Sequence, residues 1–295
     1  MKKIRITKPS CREGAHHLIN YLSVYAYGLE TGAQVTNPSF GPWHRYFTLI
    51  ENETFLTRLC APLLVLPFAG RIWSVLDSLY GSLLLRVRRA CALAAWNDLI
   101  YLPPSRPLTP ALEACGTAYF VGWFFRNPLG LTRHRDALLA AFRPHERVST
   151  RIERTLAPYR NKTLIGVQVR TLPYRGFPNG EFLVSAARVR EVVTEYLREQ
   201  SLAQEDIVLV ITTDGTIDRN AFDGLTICVN HTDPMTSLFL LAQCKAVIGT
   251  NSLSSNLAAW FGNAPHIIAT NEPVDWEYYR GKTAYFENIY ATFAH

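Results

Sequence analysis

The sequence predicts an α/β protein whose C-terminal part is a parallel sheet covered by helices on both faces. From about residue 162, five short aliphatic runs (LIGVQV, IVLVIT, LTICV, AVIGT and HIIAT) alternate with segments expected to be helical over 181–199, 216–222, 234–244 and 254–262. Runs this rich in Val, Ile and Leu read as strands buried on both faces, and an intervening helix makes each connection a parallel crossover. The chain is also long, 295 residues, more than one core usually supports. Two domains are therefore expected, 1–158 and 159–295, with the change of character at APYRNK, 157–162.

The first half is less regular. It opens with a strand at 3–7, a polar loop CREGAHH, a helix over 18–31 and then QVTNPSF. An apolar helical region follows over about 50–100, then the Pro-rich linker YLPPSRPLTP, a strand over 118–125 (AYFVGWFF) and a helix over 136–142. The apolar part, 59–96, is interrupted by Arg71 and Asp77 and broken in its first half by Pro62 and Pro67. A membrane-spanning helix needs about 20 consecutive apolar residues, which neither half supplies. Two readings remain: a pair of helices packed inside a hydrophobic domain, or a helix lying on a membrane, anchored by Arg71, Arg86, Arg88 and Arg89.

Composition narrows the class. With 48% hydrophobic and 18% charged residues the chain is globular. Thirty basic against 24 acidic side chains leave a net charge of +6, without a basic stripe interleaved with stacking aromatics, which argues against a nucleic-acid partner. An anionic small ligand or an anionic membrane surface fits that balance. The six cysteines (11, 60, 91, 115, 228, 244) form no C-x-x-C pair and no zinc-spaced cluster, so no metal site is expected and they read as small buried hydrophobes in a reducing compartment. The N-terminus MKKIRIT has lysines but no apolar core behind them and reads as a strand, which points to a cytoplasmic protein. On that reading the N-x-T sequons at Asn52, Asn161 and Asn230 carry little weight.

In open parallel sheets, ligands sit beyond the carboxyl ends of the strands, so the strand exits matter most. LIGVQV ends on Arg170, with no acidic neighbour before Glu181. IVLVIT runs into TDG, which puts Asp214 at a strand tip. AVIGT leads into NSLSSNLAAWFG, where Thr250, Asn251, Ser252, Ser254 and Ser255 precede or open a helix. Backbone N–H groups and hydroxyls at the positive end of a helix hold phosphate, and an arginine on a neighbouring strand clamps it with two hydrogen bonds. The plainer reading of the same residues is an N-cap, an ion pair and a turn.

These stretches resemble the fucosyltransferases of α-1,2, α-1,6 and protein O-fucosyl transfer. GVQVRTLPY is similar to the family's V-H-[IV]-R-R-x-D-Y, with Arg170 at the donor-binding arginine. HTDPMTSLFLLAQCKAVIGTNSLSSNLAAWFG echoes its C-terminal signature, ITTDG its F-S-D-D, REGAHHLINYLSVYA its front G-G-L-G-N-x-L-F-Q-Y-A, and GWFFRNPLGLTRHRDALLAAFRP its G-Y-[WF]-Q-S strand with the helix that follows. Residues 50–115 have no counterpart. Gln168 replaces the family's histidine, Thr171 its second arginine, Asn256 and Leu257 its paired tryptophans, His16 its front-loop asparagine and Ala15 the adjacent glycine.

The resemblance implies a GT-B-like fold of two Rossmann-like domains, the first binding the acceptor and the second the nucleotide sugar. It implies metal-independent, inverting transfer of fucose from GDP-fucose, as donor substrate, to a hydroxyl of a glycan or glycolipid. The implied donor set is His16, Arg170, Asp214, Thr250, Asn251, Ser252, Ser254 and Ser255. Arg170 and the serine-rich helix start would stabilise the departing GDP, and no D-x-D pair is present to hold a metal. Glu13 stands where the O-fucosyl branch has its base, with His16 and His17 as competitors. The alternatives are a transferase for another GDP-sugar, or a nucleotide-binding protein that keeps the fold without catalysis.

Overall fold

A computed structural model of the chain describes residues 3–7, 14–48, 67–87, 89–95, 98–102, 110–169, 183–230 and 233–282. The chain divides into two compact units, Met1–Arg147 and Val148–His295.

The first unit contains β1 (Lys3–Thr7), α1 (Gly14–Thr31), β2 (Gln34–Thr36), a 3-10 segment Pro38–Tyr46, α2 (Pro67–Val87) and β3 (Ala92–Ala95). Then come β4 (Ile100–Tyr101), α3 (Pro110–Ala114), β5 (Thr117–Gly122), β6 (Phe125–Arg126), α4 (Pro128–Arg133) and α5 (Arg135–Ala141). Four strands form a parallel sheet in the order β2-β1-β5-β3. Helix α1 starts one turn before the expected position and is buried on almost every side, with Leu18, Tyr21, Leu22 and Val24 fully enclosed.

The expected single strand over 118–125 is two strands. Gly122 turns the backbone at φ +114°, and a Cβ there would lie 2.3 Å from the Ala95 carbonyl oxygen. The turn lets the N–H groups of Trp123 and Phe124 both donate to that oxygen, at 3.2 and 3.1 Å. Asn20, buried in the middle of α1, bridges the break. Its amide nitrogen donates to the Gly122 carbonyl (3.3 Å) and its oxygen accepts from Phe125 N–H (3.0 Å), so two backbone groups that left the ladder remain paired. At the other end of α1, Glu30 accepts from the Asn127 side chain (3.0 Å) and pairs with Arg133 (3.2 Å), while Asn127 caps α4 by accepting from Gly130 N–H.

The apolar region, expected to be helical over about 50–100, is helical only in part among the described residues. α2 is one long helix, but β3 follows and joins the sheet through β5. The part of the region over 49–66 lies outside the described residues. Among the described residues no helix is long and apolar enough to cross a membrane.

The second unit contains β7 (Thr163–Val169), α7 (Ala186–Glu199), β8 (Ile207–Thr213), β9 (Ile227–Asn230), α8 (Pro234–Leu241), β10 (Ala246–Gly249), α9 (Leu253–Gly262), β11 (His266–Ile268) and α10 (Trp276–Tyr279). It is preceded by α6 (Glu146–Leu156). The sheet is parallel throughout, in the order β11-β10-β7-β8-β9. One face, built from Ile165, Val167, Val169, Leu209, Ile211 and Ile248, packs on α7 through Val189, Val192, Val193 and Tyr196. The spacing of those four residues is one face of a helix. The other face carries α8 and α9. Of the expected helices, 216–222 shrinks to a 3-10 turn, Arg219–Phe222. Asp218 caps it by accepting from Asn220 N–H, and Gly224 at φ +82° ends the segment before β9.

The cysteine reading needs correction. Cys91 and Cys115 form a disulfide that ties the start of β3 to the end of α3, whereas Cys228 and Cys244 are buried thiols as expected. Disulfides persist in oxidising surroundings, the opposite of what the scattered spacing suggested. The sequence separation of 24 residues sets the expected effect. Replacing both cysteines by serine should lower unfolding free energy by about 3 kcal/mol in urea titration, and reductant should reproduce that loss in the native protein.

His266 is wholly buried, and desolvation pushes its imidazole down to about 4 from the ordinary 6.5. Above pH 6.5 both states are neutral. Between 6.5 and 4 the unfolded chain takes up a proton that the folded chain refuses, so stability falls as the pH drops. Unfolding free energy should be about 2 kcal/mol lower at pH 5 than at pH 7.5 from this group, and His266→Gln should remove that part of the slope.

Candidate functional site

Chain order in the second sheet creates the site. The chain leaves β7 toward β8 and β9 on one side, then returns to place β10 and β11 on the other. Connections therefore diverge between β7 and β10, and ligands in open parallel sheets lie at the carboxyl ends of such a pair. At that edge one register row crosses the sheet: Ile268, Gly249, Gln168, Thr212 and Asn230.

Gly249 sets how closely the row packs. A Cβ on it would lie 2.4 Å from the Gln168 carbonyl oxygen and 3.1 Å from the Gln168 Cβ, so only glycine allows β10 to lie against β7 here. Beyond it the chain passes Thr250 and Asn251 and enters α9 at Ser252. Extended backbone at Ser252 (φ −137°, ψ 148°) turns its hydroxyl onto the helix, where it accepts from Ser255 N–H at 3.2 Å. The same hydroxyl donates to the side-chain oxygen of Gln168, 84 residues earlier in the chain. Ser255 Oγ lies 2.9 Å from Ser252 Oγ and within bonding distance of the carbonyls of Thr250 (3.1 Å) and Ser252 (3.0 Å).

Two further hydroxyls complete the edge. Thr250 and Thr212 are 1% and 2% exposed, and neither Oγ1 has a partner among the described residues. A buried hydroxyl without a partner costs about 1–3 kcal/mol, so Thr212 at the end of β8 and Thr250 after β10 each leave polar capacity unused near the carboxyl ends of the strands. The first turn of α9 adds the partial positive charge of a helix N-terminus, and the 10-residue helix is long enough to supply it.

The structure brings Thr250, Ser252 and Ser255 together at the start of α9, with Asn251 half-buried between them and Ser254 half-buried in the first turn. Asp214 sits on the exposed turn after β8, two residues beyond Thr212, where Gly215 N–H is held by the Thr213 hydroxyl (3.2 Å). His16 is in the first unit, in the first turn of α1, with its ring edge-on to Trp123 at 4.8 Å. Glu13 and Arg170 lie outside the described residues. Arg170 is the residue that follows Val169, the last of β7.

Sequence reasoning missed Gln168 and Thr212. Gln168 drew notice only as a replacement for a histidine. Its alternation with Val167 and Val169 puts it on the α9 face of β7, a signal that could have paired it with Ser252. Among the described residues no three His, Cys, Asp or Glu side chains gather as metal ligands would.

No protein-family model matches the chain, and no curated protein sequence matches it. Solved structures do. POFUT1 in complex with GDP is 10% identical with a TM-score of 0.53, over 92% of this chain and 96% of that one. A mutant Arabidopsis thaliana FUT1 in complex with GDP is 12% identical with a TM-score of 0.55, over 90% and 70%. NodZ alpha-1,6-fucosyltransferase soaked with GDP-fucose, a protein known from Bradyrhizobium, is 12% identical with a TM-score of 0.53, over 92% and 98%. The chain has a fucosyltransferase-like, GT-B-like α/β fold.

Two substitutions separate the constraints at the site. Gly249→Ala should cost about 3 kcal/mol, because the obstructing atom is backbone and cannot rotate away. Gln168→Ala should cost about 1 kcal/mol, the worth of one hydrogen bond whose serine keeps other partners. Chemical denaturation of both variants checks this, and the reverse ranking would refute the close approach.

Proposed function

We propose that the chain is a glycosyltransferase that moves fucose from GDP-fucose to a hydroxyl of a glycan or glycolipid, without a metal and with inversion at the anomeric carbon. The observation that carries the reading is the polar carboxyl edge at the divergence of β7 and β10, where buried Thr250, two residues before Ser252 at the cap of α9, and buried Thr212, near the end of β8, have unsatisfied Oγ1 atoms. The fold supports it, since structures of the same fold hold GDP or GDP-fucose.

In this reading the diphosphate rests at the positive end of α9 and accepts from its hydroxyls and N–H groups. Arg170, next in the chain after β7, clamps the same oxygens in a bidentate fork. Asp214, at the tip of β8, accepts from the nucleoside. The acceptor oxygen attacks the anomeric carbon from the side opposite the diphosphate. The bond to the departing phosphate oxygen breaks with its electron pair, and the charge that builds on GDP is stabilised by Arg170 and α9. The acceptor's proton goes to a base, and the resemblance offers Glu13, His16 and His17 as the candidates. One displacement at one centre gives inversion.

Replacement of the family's histidine by Gln168 and of its second arginine by Thr171 alters the surroundings of the donor. A neighbouring GDP-sugar is the second reading. Calorimetric titration with GDP and GDP-fucose, with chelator present, tests the central step. Micromolar binding is expected, weakened at least about tenfold in Arg170→Ala and several-fold in Thr250→Val, tenfold being 1.4 kcal/mol. Failure of both nucleotides to bind would refute the reading, as would affinities that neither substitution changes.

A further inference from the structure

The outer face of α2 is apolar along most of its length. Ile72, Val75, Leu76, Leu79, Tyr80, Leu83 and Val87 are all exposed, with Ile72 at 59%, Leu79 at 63% and Val87 at 71%. At about 100° per residue these seven fall in one arc of about 140°, and the turns from 72 to 87 extend roughly 22 Å. Gly81 and Leu84 are buried on the other side of the helix, which packs on β1, β3, β5 and the 3-10 segment. α2 therefore shows apolar residues on two sides, and only one is covered among the described residues. A continuous exposed stripe of this size marks an interaction surface, because scattered surface leucines do not line up over four turns.

Charge identifies what would cover it. Residues 1–147 carry 17 Lys and Arg against 9 Asp and Glu, whereas residues 148–295 carry 13 against 15. The whole positive excess of the protein thus belongs to the unit that bears the stripe. Arg86 is exposed within the arc, near one margin and in the last turn of the helix, and Arg88 and Arg89 follow it in sequence. Tyr80, within the arc, has the Arg5 guanidinium over its ring at 5.4 Å. Aliphatic side chains in a straight row, a tyrosine whose hydroxyl tolerates headgroups, and basic residues at one end match the interface of an anionic bilayer.

We propose that α2 is a membrane-surface helix, laying its Ile72–Val87 stripe into the headgroup–acyl boundary of an anionic lipid bilayer while its other side stays in the protein core. The helix does not insert across the bilayer. It lies parallel to the surface, held by apolar burial and by attraction worth about 1 kcal/mol for each basic residue near the lipid. This inference is independent of the proposed chemistry, since it invokes no residue of the nucleotide edge.

Sedimentation of the full chain with lipid vesicles tests it. Vesicles of phosphatidylcholine with about 30 mol % phosphatidylglycerol should capture the protein, and pure phosphatidylcholine should capture at least about fivefold less. Leu79→Glu with Leu83→Glu should reduce capture at least tenfold, and Arg86→Glu should weaken it and flatten its dependence on salt. Because all three positions are exposed, thermal melts of the variants should match the native protein. Three results would overturn the proposal. One is no capture by the anionic vesicles. Another is capture that the double variant leaves unchanged. The third is light scattering that shows a dimer dissolved by the double variant, with no lipid binding, which would make the stripe a self-association surface.

Discussion

The second unit depends on one close approach. Gly249 has no side chain, so β10 can lie against β7 with the Gln168 carbonyl where a Cβ would otherwise be. That contact closes the central part of the sheet and fixes the point at which the chain's connections diverge. It also brings the Ser252 hydroxyl within reach of Gln168, and Ser252 in turn caps α9. A bulkier residue at 249 would part the two strands where their carboxyl ends form the candidate site. The geometry of the site is thus a consequence of strand packing, and the hydroxyls need no loop of their own to hold them.

The first unit solves the same problem differently. Its break at Gly122 takes backbone groups out of the ladder, and unpaired buried backbone groups are costly. Asn20 has both a donor and an acceptor on a short rigid stem, so one side chain from the centre of α1 satisfies both sides of the break. Glu30, three turns later on the same helix, ties Asn127 and Arg133 to α1. A helix buried on nearly all sides therefore carries its polar residues where the sheet needs them. That explains how α1 tolerates a buried asparagine in an otherwise apolar setting.

Stability and polar chemistry oppose each other at the carboxyl edge of the second sheet. Most polar side chains there are saturated by neighbours, as Ser252 and Ser255 show. The Thr212 and Thr250 hydroxyls are exceptions, buried without a partner among the described residues. Valine is isosteric with threonine, would fit either place and would carry no unsatisfied hydroxyl. Threonine at both is the less stable choice, and a polar ligand at that edge would offset the cost.

Local signals specify the five strands of the second unit and its helices α7, α8 and α9. Aliphatic runs specify β7 and β8, each seven residues long, and the shorter β10, and Ser252 announces the helix it caps. The candidate residues at the start of α9 were legible for the same reason. Where a local signal was ambiguous the reading slipped, as at Gly122, which ends a strand that looked continuous, and at 216–222, too short between Asp218 and Gly224 for more than one turn. Tertiary packing decided which strands are neighbours, that Gln168 meets Ser252, that Cys91 meets Cys115, and that one side of α2 is left uncovered among the described residues. Each depends on residues distant in the chain or on what packs against a surface. Periodicity along the sequence shows that a face is apolar, but burial of that face depends on what the rest of the chain brings to it.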